Sequence, residues 1–282
     1  MDLPLRNSRI QLSSGQLFWR EIGHGPILVF LHGSWSDSSQ WLPVIKYLSQ
    51  DYHCFAPDLL GFGDSLTSNL NYSIKLEVEC LFQYLEALHL SQVYLIGHSL
   101  GGWIGASYAL QYSHQVCGLV LLSPEGVQAP GKERSWWCQR CLVESPRITY
   151  GILRSLRPLA QLWGGQKIIE QALQQQQQLL SSPAACQLLF QRRYSEIQGE
   201  LLLDNLDWLK VPSLILQGCT DTPEAIARSQ IYAQEAPQAQ LQMIERVGNN
   251  LPEALPKVVA RHIDEFVSTQ IERDGGIGGW MG

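Results

Sequence analysis

Val93-Tyr94-Leu95-Ile96-Gly97-His98-Ser99-Leu100-Gly101-Gly102 decides how this chain is read. Val93 to Ile96 is an apolar run that suits a buried strand, and Leu100 to Gln111 suits a helix behind it. Gly97 and Gly101 flank Ser99 because a sharp strand-to-helix bend brings backbones too close for a Cβ. Such a bend lifts the Ser99 hydroxyl to its apex as a candidate nucleophile. The Leu100 N–H, first in the helix, can then face developing negative charge.

Working outward, strand and helix signals alternate. Gln16–Glu21, Pro26–Leu31, Tyr52–Pro57 and Val116–Leu122 read as strands. Ser39–Leu48 and Ser73–Leu88 read as helices, the latter with Leu76, Val78, Leu81, Tyr84 and Leu85 at helical spacing. Ser213–Gln217 and Ala239–Ile244 resume the strands, and Pro252–Thr269 reads as the last helix. Alternation of this kind predicts an α/β fold: a mostly parallel twisted sheet with helices on both faces. Residues 127–206 carry no strand of the core type. The expected division is one core domain over 1–126 and 207–270, a helical insertion over 127–206, and a disordered tail over 271–282.

Composition narrows the classes. A 45% hydrophobic share with 16% charged residues is compatible with a packed core and argues against wholesale disorder. A net charge of -6 argues against nucleic acid as a partner. The N-terminal Met1-Asp2-Leu3-Pro4-Leu5-Arg6 lacks the basic-then-apolar order of a signal peptide, and no run is long enough to span a bilayer, so a cytoplasmic protein is expected. The seven cysteines read as intracellular thiols. Cys138-Gln139-Arg140-Cys141 has no second ligand pair to complete a zinc site, and neither a metal nor a cofactor is expected. The glutamine run Gln174–Gln178 reads as an exposed helix face.

Three further stretches join the Ser99 bend. His32-Gly33-Ser34-Trp35 follows an apolar strand, Asp58-Leu59-Leu60-Gly61-Phe62-Gly63-Asp64-Ser65 follows another, and Asp221 stands three residues after Gly218 at a strand end. Together these resemble the α/β-hydrolase superfamily over about residues 8–270. The branch resembled contains epoxide hydrolases, haloalkane dehalogenases and serine-dependent C–C bond and ester hydrolases. The resemblance implies Ser99 as nucleophile, and a serine there speaks against the first two chemistries. It implies Leu100, with Ser34 or Trp35, as oxyanion donors, and Asp221 as the acid, with Glu125 as the alternative acid. His32 and the Asp58–Ser65 turn are implied to shape the core.

The chain then departs from the pattern. After the last strand such proteins carry Gly-x-Gly-His-x-Pro, with the histidine as general base, whereas this chain reads Val247-Gly248-Asn249-Asn250-Leu251-Pro252. Pro252 aligns the histidine position with Asn250, or with Asn249 after a one-residue shift. Asparagine is no base near neutral pH, though it can hydrogen-bond. His98 is expected to point away from Ser99, and His24, His53, His89, His114 and His262 to lie far from it. Losing one member of such a set costs roughly 10⁴ to 10⁶ in rate.

Two functions follow from this reading: a serine hydrolase of a small apolar ester or acyl compound with an incomplete Ser-His-Asp set, or a catalytically inactive fold that binds a small ligand, a protein or a membrane. Residues 131–168 bear on the choice. Lys132, Arg134, Arg140, Arg147, Arg154, Arg157 and Lys167 stand against only Glu133 and Glu144, with Trp136, Trp137 and Trp163 among them. Such a stretch suits an anionic membrane surface or an acidic protein partner, or else the basic rim of a lid over a pocket.

Overall fold

The computed structural model describes residues 4–67, 71–128, 140–162 and 166–275. Eight strands form one sheet: β1 (Arg6–Leu12), β2 (Gly15–Ile22), β3 (Ile27–Leu31), β4 (His53–Pro57), β5 (Val93–His98), β6 (Val116–Leu122), β7 (Ser213–Gly218) and β8 (Ala239–Ile244). Their order is β1-β2-β4-β3-β5-β6-β7-β8. β2 runs antiparallel to β1 and β4, and every pairing from β4 to β8 is parallel. The central strands are mostly apolar because both of their faces are covered. β5 is buried along its whole length.

The helices are α1 (Leu42–Leu48), α2 (Ile74–Ala87), α3 (Leu100–Gln111), α4 (Pro146–Leu162), α5 (Gln166–Leu180), α6 (Pro183–Cys186), α7 (Tyr194–Gln198), α8 (Pro223–Glu235), α9 (Leu251–Ala254) and α10 (Pro256–Gly275). One core cluster gathers Val29, Leu31, Leu95 and Leu121 from the sheet with residues of α2, α3 and α8. The other gathers Leu28, Phe30, Ile96 and Leu216 with residues of α1 and α10. Alternate residues of one strand therefore serve opposite cores, as a period of two demands. Between β6 and β7 the described residues are helical or irregular, with a π-helical turn at Gln187–Gln191.

Several elements differ from the sequence reading. β1 was not anticipated: it is an edge strand with most of its residues exposed. α8 was missed because its buried face includes the polar Arg228 and Ser229 beside Ala225 and Tyr232, which leaves no apolar stripe to detect. Ser39–Leu48 splits into a 3-10 turn over Ser38–Trp41 and then α1. The last helix breaks at Leu255, before Pro256, because the residue preceding a proline is pushed out of the α region. Helix then continues to Gly275, five residues past the expected core boundary at residue 270, while 276–282 lie outside the described residues. Gln176 is buried rather than exposed, and its amide donates to the Leu142 and Pro146 carbonyls at 2.9 and 3.0 Å. Among the described residues no helix is long and apolar enough to cross a membrane.

Candidate active site

Parallel pairing from β3 to β8 puts the C-terminal ends of β3, β5, β6, β7 and β8 on one edge of the sheet. His32–Trp35, Ser99, Glu125, Asp221 and Asn250 all follow those ends, so the topology collects them on one edge. In α/β sheets that edge is where ligands bind.

Ser99 sits at φ 51° and ψ −111°, a backbone that costs a non-glycine residue about 1–3 kcal/mol. Its surroundings hold it there. The Ser99 N–H donates to the Leu122 carbonyl at 2.9 Å, and the Ser99 carbonyl accepts from Gly102, Trp103 and Glu125 at 3.0, 3.2 and 3.1 Å. A Cβ on Gly97 would lie 2.4 Å from the Gly101 carbonyl oxygen, and one on Gly101 would lie 2.2 Å from that of Leu31. Both glycines are therefore demanded by the bend itself.

Gly33 packs directly on this bend: a Cβ there would fall 3.6 Å from Ser99 Cβ and 2.8 Å from His98 Nδ1. Leu100 opens α3, so its N–H has no carbonyl one turn back. The Ser34 and Trp35 N–H groups have no acceptor among the described residues. Ser34 is buried, its hydroxyl also without a partner among the described residues, and Trp35 is exposed. Three backbone donors thus border Ser99 or follow Gly33.

The seven histidines divide by place. His32 is fully buried. It accepts from the Leu59 N–H through Nε2 at 2.9 Å, which puts its proton on Nδ1, 2.9 Å from the Gly33 carbonyl. Burial holds its pKa below the usual value, so the ring is a neutral brace for the loop. His98 Nε2 donates to the Asn249 carbonyl and side-chain oxygens at 2.8 and 2.9 Å. His24, His53, His89 and His114 precede or open β3, β4, β5 and β6. They therefore lie at the opposite ends of the strands from Ser99, about 17 Å away for a five-residue strand. His262 is on α10, with Nδ1 3.6 Å from a Glu265 carboxylate oxygen.

Asp221 lies where the loops after β7 and β8 meet. The Thr220 N–H donates to the Val247 carbonyl at 3.0 Å, and a Cβ on Gly248 would approach Asp221 Cα to 3.8 Å. Its carboxylate accepts from Gln217 Nε2 at 3.0 Å and from the Thr222 N–H at 2.7 Å. Gln217 is itself held by the Ser229 hydroxyl at 2.6 Å. Asn250 is exposed before α9, its carbonyl accepting from Ala254 at 2.9 Å, and its side chain has no hydrogen-bond partner among the described residues. Glu125 adjoins the bend through the N–H donated to Ser99. Asp58 accepts from the Ser38 and Asp64 N–H groups, both at 2.7 Å, and fixes the turn after β4.

Sequence reasoning missed Gln40 and Glu253. Gln40 accepts from the Gly33 N–H at 3.0 Å and donates to His98 Nδ1 at 3.1 Å and to Glu253 at 2.6 Å. It ties the loop after β3, the residue before Ser99 and helix α9 together. Nothing in the sequence links positions 40 and 253. Among the described residues no group of three or more His, Cys, Asp or Glu side chains is placed to hold a metal ion. Cys138, Trp136, Trp137 and Trp163 lie outside the described residues.

Residues 26–252 match the family model described as "alpha/beta hydrolase fold". The chain belongs to the α/β hydrolase fold family. Monoacylglycerol lipase ABHD6 of Mus musculus is 28% identical over 88% of this chain and 77% of its own. Among solved structures, a thermophilic esterase from Thermogutta terrifontis superposes with a TM-score of 0.71 at 22% identity, covering 94% of this chain and 99% of that one. The meta-cleavage product hydrolase of Pseudomonas fluorescens IP01 superposes with a TM-score of 0.71 at 21% identity, covering 93% and 97%. At those identities the two structures speak to the fold.

Proposed function

We propose that the protein is a slow serine acyl hydrolase of small apolar esters. The strained Ser99 bend carries this reading, held against its cost beside backbone N–H groups that have no acceptor among the described residues. Ser99 Oγ attacks the ester carbonyl, and the oxyanion accepts from Leu100 and from Ser34 or Trp35. The hydroxyl proton passes to water, the alcohol leaves with a solvent proton, and a second water releases the acid. Asp221 takes the acid position, Glu125 the alternative one, and Asn250 the place of the base. Asn249 is less suited to that place because its oxygens are engaged by His98. Without an imidazole to take the proton, only the part of catalysis supplied by binding and the oxyanion donors remains, roughly 10³-fold over water. Residues 127–206 are proposed as a cap on the core of 1–126 and 207–270. The monoacylglycerol lipase relatives make a monoacyl glycerol ester the first substrate to try.

A second reading has its own support: a binder that holds an acyl ligand or a partner without turnover. No histidine is placed for Ser99, and Asp221 is already satisfied by Gln217 and Thr222. A fluorophosphonate probe separates the two. Slow labelling that disappears in Ser99→Ala supports the hydrolase. No labelling, with saturable binding of a monoacyl ester, supports the binder.

A further inference from the structure

We propose that α4 docks the protein on an anionic lipid bilayer, laying Ile148, Ile152 and Leu156 into the interface. These residues recur every fourth position and form one stripe along the helix. They are 65%, 53% and 42% exposed, although a solvent-facing helix ordinarily turns such side chains inward. α4 packs against α5 and is pinned at its start by Gln176, whose amide donates to the Leu142 and Pro146 carbonyls. Its half-buried residues Pro146, Thr149 and Leu153 fall to one side of the stripe. The helix is thus held by one face while its main apolar stripe is left uncovered among the described residues.

The charge around the stripe identifies what covers it. Arg147 and Arg154 are exposed and lie about 100–120° round the helix from Ile148. Gly151, Ser155 and, further along the helix, Pro158 stand between them and the stripe. Long arginine stems at the edge of an apolar stripe can reach up to headgroup phosphates while the stripe is immersed. The segment Pro146–Leu162 holds three arginines and no acid, in a chain of net charge -6. Glu170 of α5 lines the groove that Arg147 borders, so the local excess of positive charge is modest, but in a chain of net charge -6 it is concentrated on this helix and orients the molecule. α4 is strongly two-faced yet not apolar enough to span a bilayer, the mark of a helix that lies in the interface. The surface does not depend on turnover at Ser99.

The test is co-sedimentation of the full chain with phosphatidylcholine vesicles, with or without phosphatidylglycerol, alongside light scattering. Binding to the phosphatidylglycerol vesicles and weakening with salt are expected. Arg147→Gln with Arg154→Gln should lower partition about 30-fold, from ~1 kcal/mol per basic residue near an anionic surface. Ile148→Ser with Ile152→Ser should lower it about tenfold or more, from the loss of buried apolar surface. All four side chains are exposed, so unfolding temperature should not move, which separates lost docking from lost fold. Equal or negligible binding to both vesicle types overturns the proposal. So does a dimer broken by Ile148→Ser with Ile152→Ser when the wild type binds no vesicles, which would make the stripe a contact between copies.

Discussion

His98 and Asn249 are joined twice, the ring Nε2–H of one reaching both the carbonyl and the side-chain oxygen of the other at 2.8 and 2.9 Å. The residue before the bend thereby pins the loop after β8, across 151 positions of sequence. Gln40 completes the strut from the other ring nitrogen. Gln40→Ala would strand the Gly33 N–H, His98 Nδ1 and the Glu253 carboxylate. Gly33 and His98 lose a partner in a buried place and Glu253 in a part-buried one, and an unsatisfied buried group costs about 1–3 kcal/mol. We expect Gln40→Ala to lower unfolding stability in urea by at least that much. A change under about 0.5 kcal/mol, the range of ordinary surface substitutions, would mean that water replaces Gln40 without loss.

Glu77 predicts the response to alkali. It is 2% exposed on α2, accepts from the Leu60 N–H at 3.1 Å, and its other oxygen has no partner among the described residues. Burial pushes its pKa up to about 8, only partly opposed by the Leu60 hydrogen bond. The folded state therefore holds this proton more tightly than the unfolded chain. Its favourable contribution is complete below the ordinary value of 4.5 and is lost as pH rises through about 8. Between those values stability should fall by up to about 1.4 kcal/mol per pH unit from this group. Glu77→Gln should match the wild type near pH 4.5 and exceed it above pH 8 in denaturant titrations. Parallel curves at every pH would contradict a proton held on Glu77.

Two glycines of one helix should respond in opposite ways. Gly101→Ala places a Cβ 2.2 Å from the Leu31 carbonyl oxygen and 2.5 Å from its carbon, backbone atoms of a central strand that cannot move aside. Loss of soluble folded protein is expected. A Cβ on Gly105 meets only the Leu119 and Leu31 side chains, at 3.5 and 3.6 Å. Gly105→Ala should stabilise the protein by about 0.4–1 kcal/mol, chiefly by restricting the unfolded chain. A raised melting temperature checks the second, and a well-folded Gly101→Ala would refute the first.

The contrast shows which parts of the molecule were legible in the sequence. The bend was, because Gly97 and Gly101 answer a steric need that no other residue meets. The buried strands β3, β5 and β6 were, because both of their faces are covered and the run is apolar without interruption. β1 and α8 were not: one is an exposed edge, and the other buries Arg228 and Ser229 where a periodic reading looks for leucine. The order of motifs placed Ser99, Asp221 and Asn250 at strand ends on one edge. It could not show that Asp221 is occupied by Gln217, or that Gln40 and Glu253 meet, because side-chain contacts between distant polar residues leave no local pattern.

The last prediction concerns the base itself. Asn249 is committed to His98, while the Asn250 side chain has no hydrogen-bond partner among the described residues and stands on the loop that adjoins Asp221. If the remaining parts are ready for chemistry, Asn250→His supplies the proton acceptor that Ser99 lacks, with Asp221 available to orient the ring. Turnover of a nitrophenyl ester should then rise by several powers of ten over the wild type, with a ceiling at the roughly 10⁶-fold loss that removing the base histidine causes. Asn249→His should gain less and should also destabilise, because it removes the side-chain half of the tie to His98. Asp221 must leave Gln217 to engage the new imidazole, so Gln217→Leu in the Asn250→His background should add to the gain. A wild type that already turns over the ester at the rate of a complete serine hydrolase would show that another group serves as base. An Asn250→His protein that folds and binds a fluorophosphonate no faster than the wild type would favour the ligand-binding reading.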